Sequence, residues 1–132
     1  MTEPAFLSMD DVLLIHREQI DRYGGSHGVR DMILLQSAVA QPQATFAGEY
    51  LHQDILKMAA AYLFHIVQNH PFVDGNKRVG LETAMVFLEI NGYHIKAGVD
   101  ALVDMVLSVA QGQSSKPAIA AFFKEHTRHR RP

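Results

Sequence analysis

The chain contains no cysteine among its 132 residues. Disulfides and thiolate metal sites are therefore excluded. It has little excess of either charge: Lys and Arg number 12, Asp and Glu 14, and the formal net charge is −2. No general attraction to nucleic acid or to an anionic membrane follows from that balance. Long apolar runs are also missing, since stretches such as residues 58–64 fall far short of the roughly 20 residues that cross a bilayer. The opening Met1-Thr2-Glu3-Pro4 has no basic region leading into an apolar one, so no signal peptide is expected. Internal repeats and low-complexity linkers are absent. The expectation is a cytoplasmic protein with no membrane partner and no direct nucleic-acid partner.

What is present is material for one core. The hydrophobic fraction is 48%, and the length suits one domain rather than two. At this size folding hides roughly two-thirds of the surface of the unfolded chain, enough for a core without staples. We expect a single domain over residues 1–126 and a frayed, flexible basic tail over 127–132, carrying Arg128-His129-Arg130-Arg131.

The apolar spacing is helical almost throughout. Ser8 with Asp11 reads as a capping-box-like start. Leu13, Ile20 and Tyr23 keep the period until Gly24-Gly25 ends the run. A turn through Ser26-His27-Gly28 leads to a second helix near residues 30–40, broken by Pro42. Residues 43–52, with Thr45, Phe46, Gly48 and Tyr50, read as a loop or short hairpin. A third helix spans about residues 54–69. Its Ile55, Ala59, Tyr62 and Ile66 share one face, with Leu56, Leu63 and Val67 beside them. That wide arc marks a central helix. A fourth helix runs to about Asn91, and Val79, Leu81, Met85, Val86, Phe87, Leu88 and Ile90 make it apolar nearly all round, hence buried. Gly92 falls at its C-terminal cap. Residues 99–110 and 115–125 read as two more helices parted by Gly112, with Pro117 tolerated in a first turn. The expected fold is all-α, a compact bundle of about six helices with a loop between two central ones.

That loop, His70-Pro71-Phe72-Val73-Asp74-Gly75-Asn76-Lys77-Arg78, concentrates the chemistry of the chain. An imidazole such as that of His70 can take a proton from a hydroxyl near neutral pH. Asp74 is a hard oxygen ligand of the kind Mg²⁺ takes, one or two carboxylates at a time, with phosphates and water completing the shell. Gly75 lets backbone bend and approach phosphate oxygens. Asn76 can donate through its amide or cap the next helix. Lys77 and Arg78 bring positive charge to a helix start, where free N–H groups already favour anions. Taken singly, these are a surface histidine, a turn and a solvated helix end. Phe72 reads as the residue pinning the loop to the core. Together, between two apolar helices, they suit phosphate-transfer chemistry.

The run resembles the signature of the Fic/Doc superfamily, His-x-Phe-x-Asp/Glu-Gly-Asn-Gly-Arg-x-x-Arg. It matches from His70 through Asn76 and again at Arg78. Lys77 stands in place of the second glycine, and Leu81 stands where the last arginine would be. Both departures are similar to the Doc (death-on-curing) branch. Similarity to that branch extends over residues 16–110, through His16, Ile20, Tyr23-Gly24-Gly25, Gly28-x-Arg30-Asp31, Ser37-Ala38, Pro42 and Asn91-Gly92.

The resemblance implies a Doc-like toxin: a kinase-type transferase that moves phosphate from ATP, with Mg²⁺, onto a hydroxyl of a translation protein, elongation factor Tu. It implies His70 as base, Asp74 as metal ligand, and Gly75, Asn76, Lys77 and Arg78 as phosphate holders. Residues 43–52 would take the place of the Fic flap that aligns the target, unless they are a plain connector. Thr45-Phe46-Ala47-Gly48-Glu49-Tyr50 nearly matches the inhibitory pattern of Fic proteins but lacks its final Gly or Asn. Control would then fall to a small antitoxin, whose disordered segment folds onto the toxin. Two alternatives stand beside this: an AMP-transferring Fic enzyme, which Lys77 and Leu81 disfavour, and a catalytically idle partner of a repressor, which the intact loop disfavours.

Overall fold

Local capping chemistry places most of the helix starts in the computed structural model, which describes residues 3–130. Ser8 Oγ accepts from the Asp11 N–H at 3.1 Å and Asp11 Oδ2 accepts from the Ser8 N–H at 2.8 Å, opening helix α1, Met9–Tyr23. Asp31 Oδ1 caps α2, Met32–Ala40, through the Leu34 N–H at 3.0 Å. This helix starts later than its apolar pattern suggests. The N–H groups of Arg30 and Asp31 both donate to the Pro71 carbonyl, at 2.7 and 3.0 Å, and so lie outside it.

Pro42 is buried in a 3-10 turn, Gln41–Gln43. The next segment is a hairpin: β1, Thr45–Phe46, pairs antiparallel with β2, Glu49–Tyr50. Asp54 Oδ1 then caps α3, Ile55–Asn69, at 2.8 Å. This is the central helix. Met58 to Leu63, Ile66 and Val67 are buried, and α2, α4 and α6 all pack on it.

Helix α4, Asn76–Ile90, lies closest along α3. Gly80 makes that approach possible. A Cβ there would sit 2.8 Å from Val67 Cγ2 and 3.3 Å from the Leu63 carbonyl oxygen. The expected all-round burial of α4 holds for Val79, Phe87 and Leu88. Leu81, Met85 and Val86 are half-buried, and Ile90, at the end, is 50% exposed.

Strand β3, Tyr93–Ile95, follows; then come α5, Val99–Ala110, and α6, Lys116–His126. Ser115 caps α6 and Pro117 sits in its first turn. The all-α expectation is therefore confirmed, with six helices and only short strand pairs among the described residues.

The expected frayed tail is corrected. Thr127–His129 forms β4, antiparallel to β3, with Tyr93 opposite His129 and Ile95 opposite Thr127. Hydrogen bonds from the Lys96 N–H to His126 and from the Arg130 N–H to Gly92, each 2.6 Å, extend the ladder. The Tyr93 and His129 rings meet edge-on at 4.7 Å, and Arg130 and His94 both reach Glu89. An open strand edge and an acidic partner thus hold a basic segment that composition alone reads as free. Arg131, also assigned to the tail, lies outside the described residues, as do Met1 and Thr2 of the signal-peptide reading.

Candidate active site

The loop from His70 to Arg78 spans the end of α3 and the start of α4. His70 is the C-terminal cap of α3, in the left-handed region at φ 50°, ψ 53°. A β-carbon makes that conformation costly, so neighbouring contacts must hold it. Its side chain is exposed. Phe72, fully buried, pins the next turn to the core, as its sequence context suggests.

Asn76 is buried, and its amide is oriented on both sides. Oδ1 accepts from the Phe72 N–H at 2.9 Å, while Nδ2 donates to the Phe72 carbonyl at 3.0 Å and faces His70 Nδ1 at 3.1 Å. Turning the amide over would break both bonds to Phe72. The network therefore assigns Nδ2 as donor and His70 Nδ1 as acceptor. Neutral His70 then carries its hydrogen on Nε2. Both Asn76 amide protons are engaged, so donation to a phosphate would displace one of them.

Gly75 occupies the cap position of α4 at φ 84°, and no side chain caps that helix. Its first-turn N–H groups thus remain available to an anion. Lys77 is exposed. Arg78 is half-buried and held: Nη2 donates to the Gly24 carbonyl at 3.0 Å, and its guanidinium lies 5.5 Å from the centre of the Tyr23 ring. Asp74 Oδ2 accepts from the Ser26 N–H at 2.8 Å. Among the described residues Oδ1 has no hydrogen-bond partner, and no group of three His, Cys, Asp or Glu side chains could hold a metal ion. A single hard oxygen suits Mg²⁺ only if phosphates and water supply the other ligands.

Residues distant in sequence hold this loop in shape. The α1–α2 connector pairs with it through a Val29–Phe72 bridge and a Val73 N–H bond to the Gly28 carbonyl at 3.1 Å. Gly25 passes so near Asp74 that a Cβ would lie 3.3 Å from the Asp74 Cβ. His16 stacks on Phe72 at 3.9 Å and its Nε2 donates to the Asp74 carbonyl at 3.0 Å. Burial lowers the His16 imidazole below its ordinary value despite that bond, which favours the neutral donor form. Arg30 reaches the carbonyls of His70 and Asn69. His16 stood out in the sequence only through family resemblance, and Tyr23, Gly25 and Arg30 through that resemblance and as marks of helix ends, none of them with a role at the site. Ser26 read only as part of a turn, because its contribution to the site is a backbone N–H.

A helical bundle that sets a His, Asp, Gly, Asn, Lys, Arg loop between its two central helices is the arrangement that the resemblance implied. The family model described as Fic/DOC family matches residues 6–88. The chain is 40% identical over 123 residues to the Toxin Doc of Mycolicibacterium smegmatis, covering 92% of this chain and 91% of that one. It is 31% identical over 114 residues to the Protein kinase doc of Escherichia phage P1, covering 86% and 89%. The chain belongs to the Fic/DOC family.

Proposed function

We propose that this protein is a Doc-type toxin, a transferase that moves the γ-phosphoryl group of ATP onto a hydroxyl of elongation factor Tu. The observation that carries this reading is the convergence of His70, Asp74, Lys77 and Arg78 on one loop at the uncapped N-terminus of α4. Support for phosphate rather than AMP transfer comes from the relative named a protein kinase. It also comes from Leu81, which packs against the core and brings no charge where the Fic pattern has arginine.

The α4 N–H groups, Lys77 and Arg78 bind the phosphates, and Arg78 is already held by Gly24 and Tyr23. Asp74 would hold Mg²⁺ through Oδ1, which adds charge neutralisation at the transferred group. His70 takes the target's proton at Nδ1, the nitrogen of the neutral ring that bears the free lone pair. The Asn76 contact gives way as the hydroxyl arrives. The hydroxyl oxygen bonds to the γ-phosphorus, the bond to the bridging oxygen breaks, and ADP leaves. Control by a small antitoxin belongs to the same reading, supported by the name of the mycobacterial relative.

The test is incubation with elongation factor Tu and ATP labelled at either the α or the γ position. Label from γ alone supports the reading. Label from α alone indicates AMP transfer, and label from neither indicates an idle module.

A further inference from the structure

We infer that Arg30 is the positioning residue for His70, holding its backbone so that the imidazole meets Asn76. This rests on the reading of His70 as the base. Arg30 Nε donates to the His70 carbonyl at 2.7 Å, and Nη2 donates to the Asn69 carbonyl at 3.0 Å. The Arg30 N–H takes the Pro71 carbonyl at 2.7 Å, and the Asp31 N–H shares it at 3.0 Å. Four donors from two adjacent residues thus engage three successive carbonyls, with His70 in the middle.

The conformation they hold is one that histidine resists. His70 and Ala47 are the non-glycine residues at positive φ among the described residues. A left-handed residue places its Cβ in a different direction from a helical one, so the backbone at His70 decides where the ring points. On the far side, Asn76 is fixed by Phe72, which pairs with Val29, and the next residue, Val73, donates its N–H to the Gly28 carbonyl, both on the segment that carries Arg30. One connector thus sets both ends of the His70–Asn76 contact.

A plain C-terminal cap would explain part of this, since a cation near helix carbonyls is favourable. The two roles separate on substitution. A lysine in place of Arg30 keeps the charge but has no planar fork to span two carbonyls. As a plain cap it would suffice; as a positioning group it would not.

The experiment compares the protein with Arg30→Lys and Arg30→Gln. Arg30 is exposed, so water can satisfy the released carbonyls and both variants are expected to fold. The first readout needs no target. The ¹⁵N shifts of neutral His70, taken above the ordinary imidazole range, report the tautomer. The parent should show the Nε2–H form alone, and both variants a mixture. The second readout is transfer kinetics. Misplacing a reacting group by about 1 Å costs up to roughly 10²-fold, so kcat should fall by about 10–100-fold while KM for ATP holds. In a His70→Ala background, Arg30→Lys should change nothing further.

A single tautomer and unchanged kcat in the folded variants, with only Tm lowered, would reduce Arg30 to a cap and overturn the inference. Failure of the parent to label elongation factor Tu would instead count against the proposed function. The tautomer readout would still decide the role of Arg30.

Discussion

At the scale of single residues, the proposed function has one residue serve geometry and chemistry through different atoms. Asp74 gives Oδ2 to the Ser26 N–H and its carbonyl to His16, and Oδ1 is the atom proposed to hold Mg²⁺. Asp74→Asn keeps an acceptor for Ser26, so the loop should survive. A neutral amide is a poorer ligand for a hard cation. Turnover of the variant should need several-fold more Mg²⁺, read by titrating the metal at saturating ATP. An unchanged Mg²⁺ dependence would leave Asp74 as a turn former. Lys77 poses the complementary question. It is exposed at the start of α4, so Lys77→Gly costs at most about 1 kcal/mol of folding. The variant restores the Fic residue at that position. It should slow phosphate transfer and admit some AMP transfer, seen in the mass of the product. Phosphate transfer at the parent rate without any AMP product would show that Lys77 does not set the reaction type.

Between elements, the closest fit is the seam of α3 and α4, and it carries the site because the loop joins those helices. Gly80→Ala tests that seam. The added methyl would lie 2.8 Å from Val67 Cγ2, and a β-branched side chain in a helix has one favoured rotamer. Overpacking costs about 1–3 kcal/mol, while better helix propensity returns up to about 1 kcal/mol. A net loss of about 1–2 kcal/mol is expected in urea unfolding, and a gain in stability would show that the seam has slack. The same scale separates what was legible in the sequence from what was not. Ser8, Asp54, Ser115 and Gly112 act within a few positions of themselves, so the helix boundaries could be read locally. The β3–β4 pairing joins residues 32–36 positions apart in strands too short to show alternation. Arg30 lies 40 positions before His70, and His16 lies 58 before Asp74. Such contacts exist only once the helices pack. The loop itself was legible because its chemistry lies in nine consecutive residues.

Over the whole molecule, acid should loosen the fold before it reaches most carboxylates. Lys116 Nζ lies 3.2 Å from His52 Nε2 and 3.1 Å from His65 Nε2, joining the segment after the hairpin to α3 and α6. Burial first, and then Lys116 and His52, lower His65 from 6.5 to about 4. His52 is lowered too, by burial and Lys116. Between those two values the unfolded chain binds more protons than the folded one, so stability falls as pH drops from about 6.5 towards 4. The lowered Glu89 contributes only further down, below the ordinary carboxyl value of 4.5. His65→Gln keeps an acceptor for Lys116 and removes the titration. Its Tm should fall less than the parent's between neutral pH and pH near 5, and an equal fall would assign the acid sensitivity elsewhere. The proposed transfer is something the assembled molecule does to another protein. Its most direct test is the intact mass of elongation factor Tu after incubation with Mg²⁺, ATP and either this protein or its His70→Ala variant. His70 is exposed and outside the core, so the variant should fold, and loss of a general base typically costs about 10²–10⁴-fold. One added phosphoryl group is expected with the parent and none with the variant over the same interval. An added AMP, or equal phosphorylation by a folded His70→Ala protein, would contradict it.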